Sequence, residues 1–266
     1  MSSSASNLHL HKLVVLQLSR NKLTEDWEGW RLIMTAKRLK VLDLSYSQDL
    51  RCTPDLSTFT ELEILILKDC YKLEQVHPSI GKVKSLVSLD LTYCGKLQKL
   101  PTEVGELEEL KELLLVYAGI TEIPMSIGSL RKLQKLSASS CRSLVEMPLS
   151  IGNLSSLEIL LITGTSISHL PESIQNLSFL QSLDLKGCKE LRSLPALPSG
   201  LTYLQVNSPI PILPQLSCLI HLEELYLCGC NQLEYIPELP SRLLKLCADS
   251  CPKLILPKLD GFKYLE

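Results

Sequence analysis

The chain has 266 residues, of which 45% are hydrophobic but only 5% are aromatic, and its formal net charge is −2. It is long enough to bury a sizeable core, and leucine must build most of that core because aromatic residues are scarce. The near-neutral charge gives no electrostatic reason to expect nucleic acid or an anionic membrane as a partner. No apolar run reaches the roughly 20 residues that a membrane-spanning helix needs.

The first residues, MSSSASNLHLHKL, lack the apolar segment that marks a secretory signal. We expect residues 1–7 to form a disordered tail and residues 8–266 to form a single domain. His9 and His11 could form a weak metal-ligand pair, but solvated histidines at the start of the domain are the favoured interpretation. Without a signal segment, a cytoplasmic or nucleocytoplasmic protein is expected.

The pattern Leu-x-x-Leu-x-Leu recurs with a period of 21 to 26 residues. Its alternation places the leucines on one face of a short β-strand. One unit cannot bury that face alone, so successive units stack around a continuous core. The sequence therefore predicts an α/β solenoid, a leucine-rich repeat horseshoe of about 11 units, with a concave parallel β-sheet and a convex side of loops, 3-10 turns and short helices. The units open at Leu13, Leu39, Leu62, Leu86, Leu110, Leu133, Leu157, Leu180, Leu201, Leu222 and Leu243.

The ninth position of each unit is predicted to point inward, where the strand ends. An Asn or Cys there can bond or pack against backbone groups of the neighbouring turn that would otherwise be unsatisfied. From Leu86 to Leu180 the units alternate between 24 and 23 residues, because a Cys at this position is followed by one more residue than Ala118 or Thr165. The ninth residues are Asn21, Ser47, Cys70, Cys94, Ala118, Cys141, Thr165, Cys188, Pro209, Cys230 and Cys251.

Most of the ten cysteines occupy this repeated position. That recurrence favours buried free thiols over a disulfide framework. A metal site at Cys228 and Cys230, or at Cys247 and Cys251, is not expected, because strand alternation sends Cys228 to the surface and Cys230 inward. We predict neither a metal site nor a cofactor.

Prolines mark the convex side. Each precedes a predicted short turn or helical piece, where the missing N–H of proline costs nothing. The last three units lack this segment, and the sequences LPALPSGL and IPELPSRL predict extended backbone in its place. The four prolines are Pro101, Pro124, Pro148 and Pro171.

The concave sheet is the predicted working surface. Apolar residues next to tyrosines on a solvent-facing sheet are typical of protein contact sites, although ordinary strand propensity would also place apolar residues there. The candidate protein-binding residues are Asp43, Tyr46, Ile66, Lys68, Asp69, Asp90, Tyr93, Lys111, Leu114, Val116, Tyr117, Ile159, Leu161, Asp184, Tyr203 and Tyr226.

Catalytic chemistry is not expected. The five histidines are scattered among different repeat positions, and no nucleophile–base pair is recognisable. The phosphate-binding pattern Gly-x-x-x-x-Gly-Lys-(Ser/Thr) does not occur. An enzymatic role would require an appended catalytic domain.

Several motifs together resemble a known family. The segments LPESIQNLSFL, LITGTSI and LDLKGCKEL are similar to the leucine-rich repeat region of plant intracellular nucleotide-binding/leucine-rich repeat disease resistance proteins. The alternation of Cys units with Gly-Thr-x-Ile units most resembles the class with an N-terminal Toll/interleukin-1 receptor domain. Residues 24–45 look like an early repeat of such receptors, and LPALPSGLTYLQV looks like the end of the region. The glycine typical of extracellular plant repeats is missing from ITEIP and ISHLP.

The resemblance implies a protein–protein interaction module, the effector-sensing and autoinhibitory region of an immune receptor. Its implied partners are a pathogen effector or a guarded host protein, and the nucleotide-binding domain of the same or a related receptor. We expect no nucleic acid or membrane partner, and a monomer in isolation. Nucleotide hydrolysis and signalling are not attributed to a chain without the phosphate loop. The alternative is a free-standing cytoplasmic repeat scaffold that binds a small GTPase or a kinase.

Overall fold

The structure, a computed structural model, describes residues 10–255. Within that range eleven parallel strands pair in chain order to form one sheet. Each strand begins two residues after the leucine that opens its repeat, so the predicted fold and repeat register are confirmed. The predicted tail at residues 1–7 and the end of the domain after residue 255 lie outside the described residues. The strands are β1 (Val15–Gln17), β2 (Val41–Asp43), β3 (Ile64–Ile66), β4 (Ser88–Asp90), β5 (Glu112–Leu114), β6 (Lys135–Ser137), β7 (Ile159–Leu161), β8 (Ser182–Lys186), β9 (Tyr203–Asn207), β10 (Glu224–Tyr226) and β11 (Lys245–Cys247).

Equivalent residues of neighbouring repeats pair with each other across the sheet. Leu89 in β4, for example, pairs with Leu65 on one side and Leu113 on the other. All three side chains are fully buried. The strand leucines therefore form a continuous column, and each fully buried side chain contributes about 1.5–3 kcal/mol to folding. This column belongs to one core that runs from Leu23 to Leu243.

The convex side carries short helices that close the core from behind. The prediction for Pro101, Pro124, Pro148 and Pro171 is confirmed, because each is the residue immediately before a 3-10 helix. His77 takes the same place in an earlier repeat, where its side chain accepts a hydrogen bond from the Ser79 N–H. The helices are α1 (Trp30–Ile33) and the 3-10 helices Pro78–Lys82, Thr102–Glu106, Met125–Ser129, Leu149–Asn153 and Glu172–Asn176.

Neighbouring 3-10 helices pack very closely. A Cβ atom at Gly128 would lie 2.6 Å from the carbonyl oxygen of Ser150 in the next repeat, so only glycine fits there. From 177 to 255 the described chain has no further helix, in agreement with the predicted change to extended, proline-rich segments.

The ninth-position cysteines form a ladder of hydrogen bonds, which we call the thiol ladder. Each thiol donates to the carbonyl oxygen at the sixth position of the preceding repeat, so the buried backbone acceptor is satisfied. The pairs are Cys70 to Leu44, Cys94 to Leu67, Cys141 to Leu115, Cys188 to Ile162, Cys230 to Val206 and Cys251 to Leu227.

Thr165 donates a hydrogen bond to the sixth-position carbonyl oxygen of its own repeat. Its hydroxyl donates to the carbonyl oxygen of Ile162 at 2.9 Å, and the thiol of Cys188 donates to that oxygen at 3.1 Å. The two side chains lie 3.4 Å apart. A Cys unit therefore bonds to the repeat before it, whereas the Thr165 unit bonds within itself.

Two ninth-position predictions are wrong. Asn21 is exposed and its side-chain amide donates to the carbonyl oxygens of Leu18 and Ser19; no preceding repeat covers it among the described residues. Pro209 is only half-buried, and Ser208 is buried in its place. Strand β9 continues to Asn207, so the two-residue alternation of inward side chains runs on to Ser208.

Eight cysteines are free thiols, as the preference for free thiols over a disulfide framework predicted, but one pair departs from it. Cys228 and Cys247 form a disulfide with a Cα–Cα distance of 6.0 Å. Both lie on the concave face of neighbouring repeats, outside the thiol ladder, so their sulfurs can meet across the strand spacing. These sulfurs and a carboxylate oxygen of Asp249 lie within 4.8 Å of one another, but sulfurs joined in a disulfide are not thiolate ligands.

Candidate protein-interaction surface

The concave face is built from the residues that alternate with the buried leucines. One row across the strands contains Asp43, Ile66, Asp90, Leu114 and Ser137 in register. The predicted apolar contact residues on this face are half-buried, because parallel strands about 4.8 Å apart let neighbouring side chains cover each other. These residues are Ile66, Leu114, Val116, Ile159 and Leu161.

The most apolar part of this row lies across β5, β6 and β7. Ser137 pairs with Leu114 on one side and Leu161 on the other. It is only 2% exposed, although its strand position predicts a solvent-facing side chain. We call these three residues the apolar strip, because two leucines flank a serine that is almost completely buried.

Three acidic residues predicted as contacts also have a local structural role. Asp43, Asp90 and Asp184 each accept a hydrogen bond at 2.9 Å from the backbone N–H two residues ahead. Such bonds stabilise the turn that ends the strand. Burial raises the pKa of Asp184 above its ordinary value.

The eighth position of the repeats forms a separate column, the edge column, where the chain leaves the sheet. The backbone at this position is left-handed, with φ near +60°. This conformation costs about 1–2 kcal/mol in any residue with a Cβ atom. Ten repeats adopt it, at Arg20, Tyr46, Asp69, Tyr93, Tyr117, Ser140, Gly164, Gly187, Gly229 and Ser250.

Side chains of the edge column stack on one another. The rings of Tyr93 and Tyr117 are parallel, with centroids 4.9 Å apart, and the residues are 45% and 46% exposed. The guanidinium of Arg20 lies 4.9 Å from the centre of the Tyr46 ring. Asp69 separates these two pairs. The structure therefore brings together four predicted residues, and it adds Arg20, which the sequence reasoning missed.

Lysines of the predicted site lie apart from each other. Lys68 comes one residue before Asp69 and is half-buried, whereas Lys111 is exposed at the other end of the strands, just before β5. Lys111 therefore does not meet the edge column.

A second aromatic group lies near the end of the sheet. The rings of Tyr203 and Tyr226 have centroids 5.4 Å apart, and their hydroxyls donate to Gln205 and Glu224. The ammonium of Lys245 lies 5.1 Å from the centre of the Tyr226 ring. The predicted residues thus form two aromatic groups with an apolar strip between them, and Lys245 is a further member that the sequence reasoning missed.

Comparison with known proteins agrees with this architecture. The family model described as a leucine-rich repeat region matches residues 44–164. The chain has a leucine-rich repeat fold. Among solved structures, the plant peptide hormone receptor RGFR1 in complex with RGF2 is similar, with a TM-score of 0.52 and 28% identity over 84% of this chain and 44% of that one. None of the helices in residues 10–255 is long and apolar enough to cross a membrane.

The similar curated proteins are plant disease resistance proteins, which confirms the resemblance read from the sequence. Disease resistance protein RPV1 of Vitis rotundifolia is 40% identical over 73 residues, 27% of this chain and 5% of that protein. TMV resistance protein N of Nicotiana glutinosa is 36% identical over 89 residues, 34% of this chain and 8% of that protein. The match thus spans less than a tenth of either relative. The leucine-rich repeat fold is typically a non-enzymatic scaffold for protein interactions.

Proposed function

We propose that the chain is the ligand-sensing repeat module of a plant immune receptor, and that it binds a protein partner with its concave face and edge column. The observation that carries this proposal is the pair Tyr93 and Tyr117. Their bulky side chains occupy left-handed backbone, which costs about 1–2 kcal/mol per residue, and yet both remain about half exposed. Strained, exposed aromatic residues are more useful for recognition than for folding.

The apolar strip beside these tyrosines supports the same proposal. Leu114 and Leu161 flank the buried Ser137 in register, and Val116 and Tyr117 follow Leu114 in the same repeat. A surface of this composition suits the centre of a protein interface, where aromatic and aliphatic side chains exclude water.

Similarity to disease resistance proteins suggests the class of partner. The partner would be a pathogen effector or a host protein that effectors modify, and the same module would contact the nucleotide-binding domain of the same or a related receptor. RGFR1, a similar fold, is found in complex with RGF2. We propose that the module is located in the cytoplasm, or in both the cytoplasm and the nucleus.

A capture experiment with a double variant tests the proposal. The chain would be immobilised and used to capture proteins from plant extract, alone and with added candidate effectors. Replacing both Tyr93→Asp and Leu114→Asp should remove the specific partners, because two charges would enter the contact surface. The matched control is Val145→Asp, because Val145 is an apolar residue outside the strands that is 55% exposed.

Both variants must retain the far-ultraviolet spectrum and the unfolding midpoint of the original chain. Proteins that the control retains and the double variant loses would support the proposal. If the double variant captures the same proteins as the control, the concave face is not the binding surface.

A further inference from the structure

Asp69 is the one acidic side chain in the edge column. Its backbone φ is 59° and the residue is half-buried. Its backbone N–H donates to the carbonyl oxygen of Thr92. Its carboxylate has no hydrogen bond or ion pair to any residue between 10 and 255, although nearby acids such as Asp49 have cationic partners.

Asp69 lies between two tyrosines, with Tyr46 in the preceding repeat and Tyr93 in the following one. Elsewhere in the column, a side chain covers the ring of the next repeat at 4.9 Å, both for Arg20 on Tyr46 and for Tyr93 on Tyr117. Tyr46 and Tyr93 are two repeats apart, roughly 10 Å at a strand spacing of about 4.8 Å. Aspartate is too short to cover the ring faces that flank it.

The charges around this position are mainly negative. Asp43 and Asp90 flank Ile66 in the strand row beside Asp69. Lys68 is the nearby cation on the same repeat, and it forms no ion pair among the described residues. A cationic group that approaches Asp69 would therefore be attracted by three carboxylates and repelled by two cations, Lys68 and the Arg20 guanidinium beside Tyr46.

We propose that Tyr46, Asp69 and Tyr93 form a slot that binds an arginine side chain of the partner protein; this rests on the proposed function. The guanidinium is planar, so it pairs with a carboxylate through two N–H groups while one face lies against an aromatic ring. Arg20, one repeat before Tyr46, already places its guanidinium 4.9 Å from the centre of that ring. The ammonium of lysine would pair with the carboxylate, but it has no flat face to lie against the aromatic rings.

Short peptides provide the direct test. The isotope-labelled full chain would be titrated with acetyl-Gly-Arg-Gly-amide and with acetyl-Gly-Lys-Gly-amide, and binding would be followed by backbone amide chemical shifts. We expect the arginine peptide to bind at least 3-fold more tightly, with the largest shifts at residues 46, 69 and 93. Asp69→Asn should weaken the arginine peptide at least 5-fold. It should also keep the fold, because asparagine tolerates left-handed backbone well.

The matched control is Asp26→Asn, because Asp26 is an exposed aspartate in the segment before α1. It should leave the affinity for the arginine peptide unchanged. Equal affinity for the two peptides, or an Asp69→Asn variant that binds as tightly as the control, would overturn the slot.

The capture experiment separates this inference from the proposed function. If Asp69→Asn keeps every partner that the Tyr93→Asp, Leu114→Asp double variant loses, the concave face binds the partner and the arginine slot is wrong. If Asp69→Asn also loses those partners while Asp26→Asn retains them, the slot is supported.

Discussion

The energetic cost of the edge column can be measured at a glycine. Gly164 occupies this column with a φ of +65°. A Cβ atom there would lie no closer than 3.6 Å to another atom, the hydroxyl oxygen of Ser140. Replacing Gly164→Ala therefore introduces left-handed strain without a steric clash.

Gly95 provides the matched control. It lies outside the positive-φ region, and a Cβ atom there would meet nothing within 4 Å. Either alanine restricts the unfolded chain and so stabilises the protein by about 0.4–1 kcal/mol, but only Gly164→Ala also adds the left-handed cost of about 1–2 kcal/mol. The free energy of unfolding should therefore be about 1–2 kcal/mol lower for Gly164→Ala than for Gly95→Ala.

Urea unfolding followed by circular dichroism would give the two free energies. Hydrogen exchange at β7 and β8 would show whether the loss is local, because repeat proteins can unfold in parts. If the two variants have the same unfolding free energy within error, left-handed backbone costs little in this column. The left-handed backbone of Tyr93 and Tyr117 would then be no sign that these residues are retained for recognition.

Three further predictions concern the core, the thiols and the disulfide. Leu136→Ala should lower the free energy of unfolding by about 2–5 kcal/mol in urea titrations, because the side chain is fully buried; a loss below 1 kcal/mol would contradict this packing. Burial raises the pKa of Cys70 to about 12 and that of Cys141 to about 11, whereas unfolded thiols ionise near 8.5. Above about pH 8 the unfolded thiols lose their protons while the buried ones keep them. The free energy of unfolding should therefore be constant below about pH 8 and fall above it, by about 1.4 kcal/mol per pH unit for each such thiol. An unfolding free energy that stays constant up to about pH 10 would contradict the raised pKa values. The Cys228–Cys247 disulfide closes a loop with a sequence separation of 19, so its reduction should lower the free energy of unfolding by up to about 3 kcal/mol. Unfolding with and without dithiothreitol measures this loss, and Cys228→Ser is the control that cannot form the disulfide. Equal stability of the oxidised and reduced protein would contradict the cross-link.

The fold was predictable because the spacing of the leucines gives the period of the repeat. Each strand begins two residues after an opening leucine, since the spacing of the buried side chains fixes which residues alternate across the sheet. The 3-10 helices after Pro101, Pro124, Pro148 and Pro171 were predictable for a similar local reason.

Features that depend on two repeats at once were not predictable in the same way. The burial of Ser137 depends on the leucines that flank it in β5 and β7. The Cys228–Cys247 disulfide depends on the meeting of two concave positions in neighbouring repeats. The contact of Arg20 with Tyr46 likewise joins side chains 26 positions apart, and a single repeat contains no sign of it.

The direction of the thiol ladder has a consequence for how such a chain changes length. The thiols of Cys141 and Cys188 donate hydrogen bonds to the preceding repeats, which contain Ala118 and Thr165. Ala118 and Thr165 have no thiol, so they form no such bond with the repeats before them. The junction in front of each Ala or Thr repeat therefore carries no thiol bond. Residues 110–156 could be gained or lost as one block without breaking any thiol bond in the remaining repeats. Each such event would move the second aromatic group by two strands, roughly 10 Å, so recombination could change the spacing between binding groups while the core stays intact.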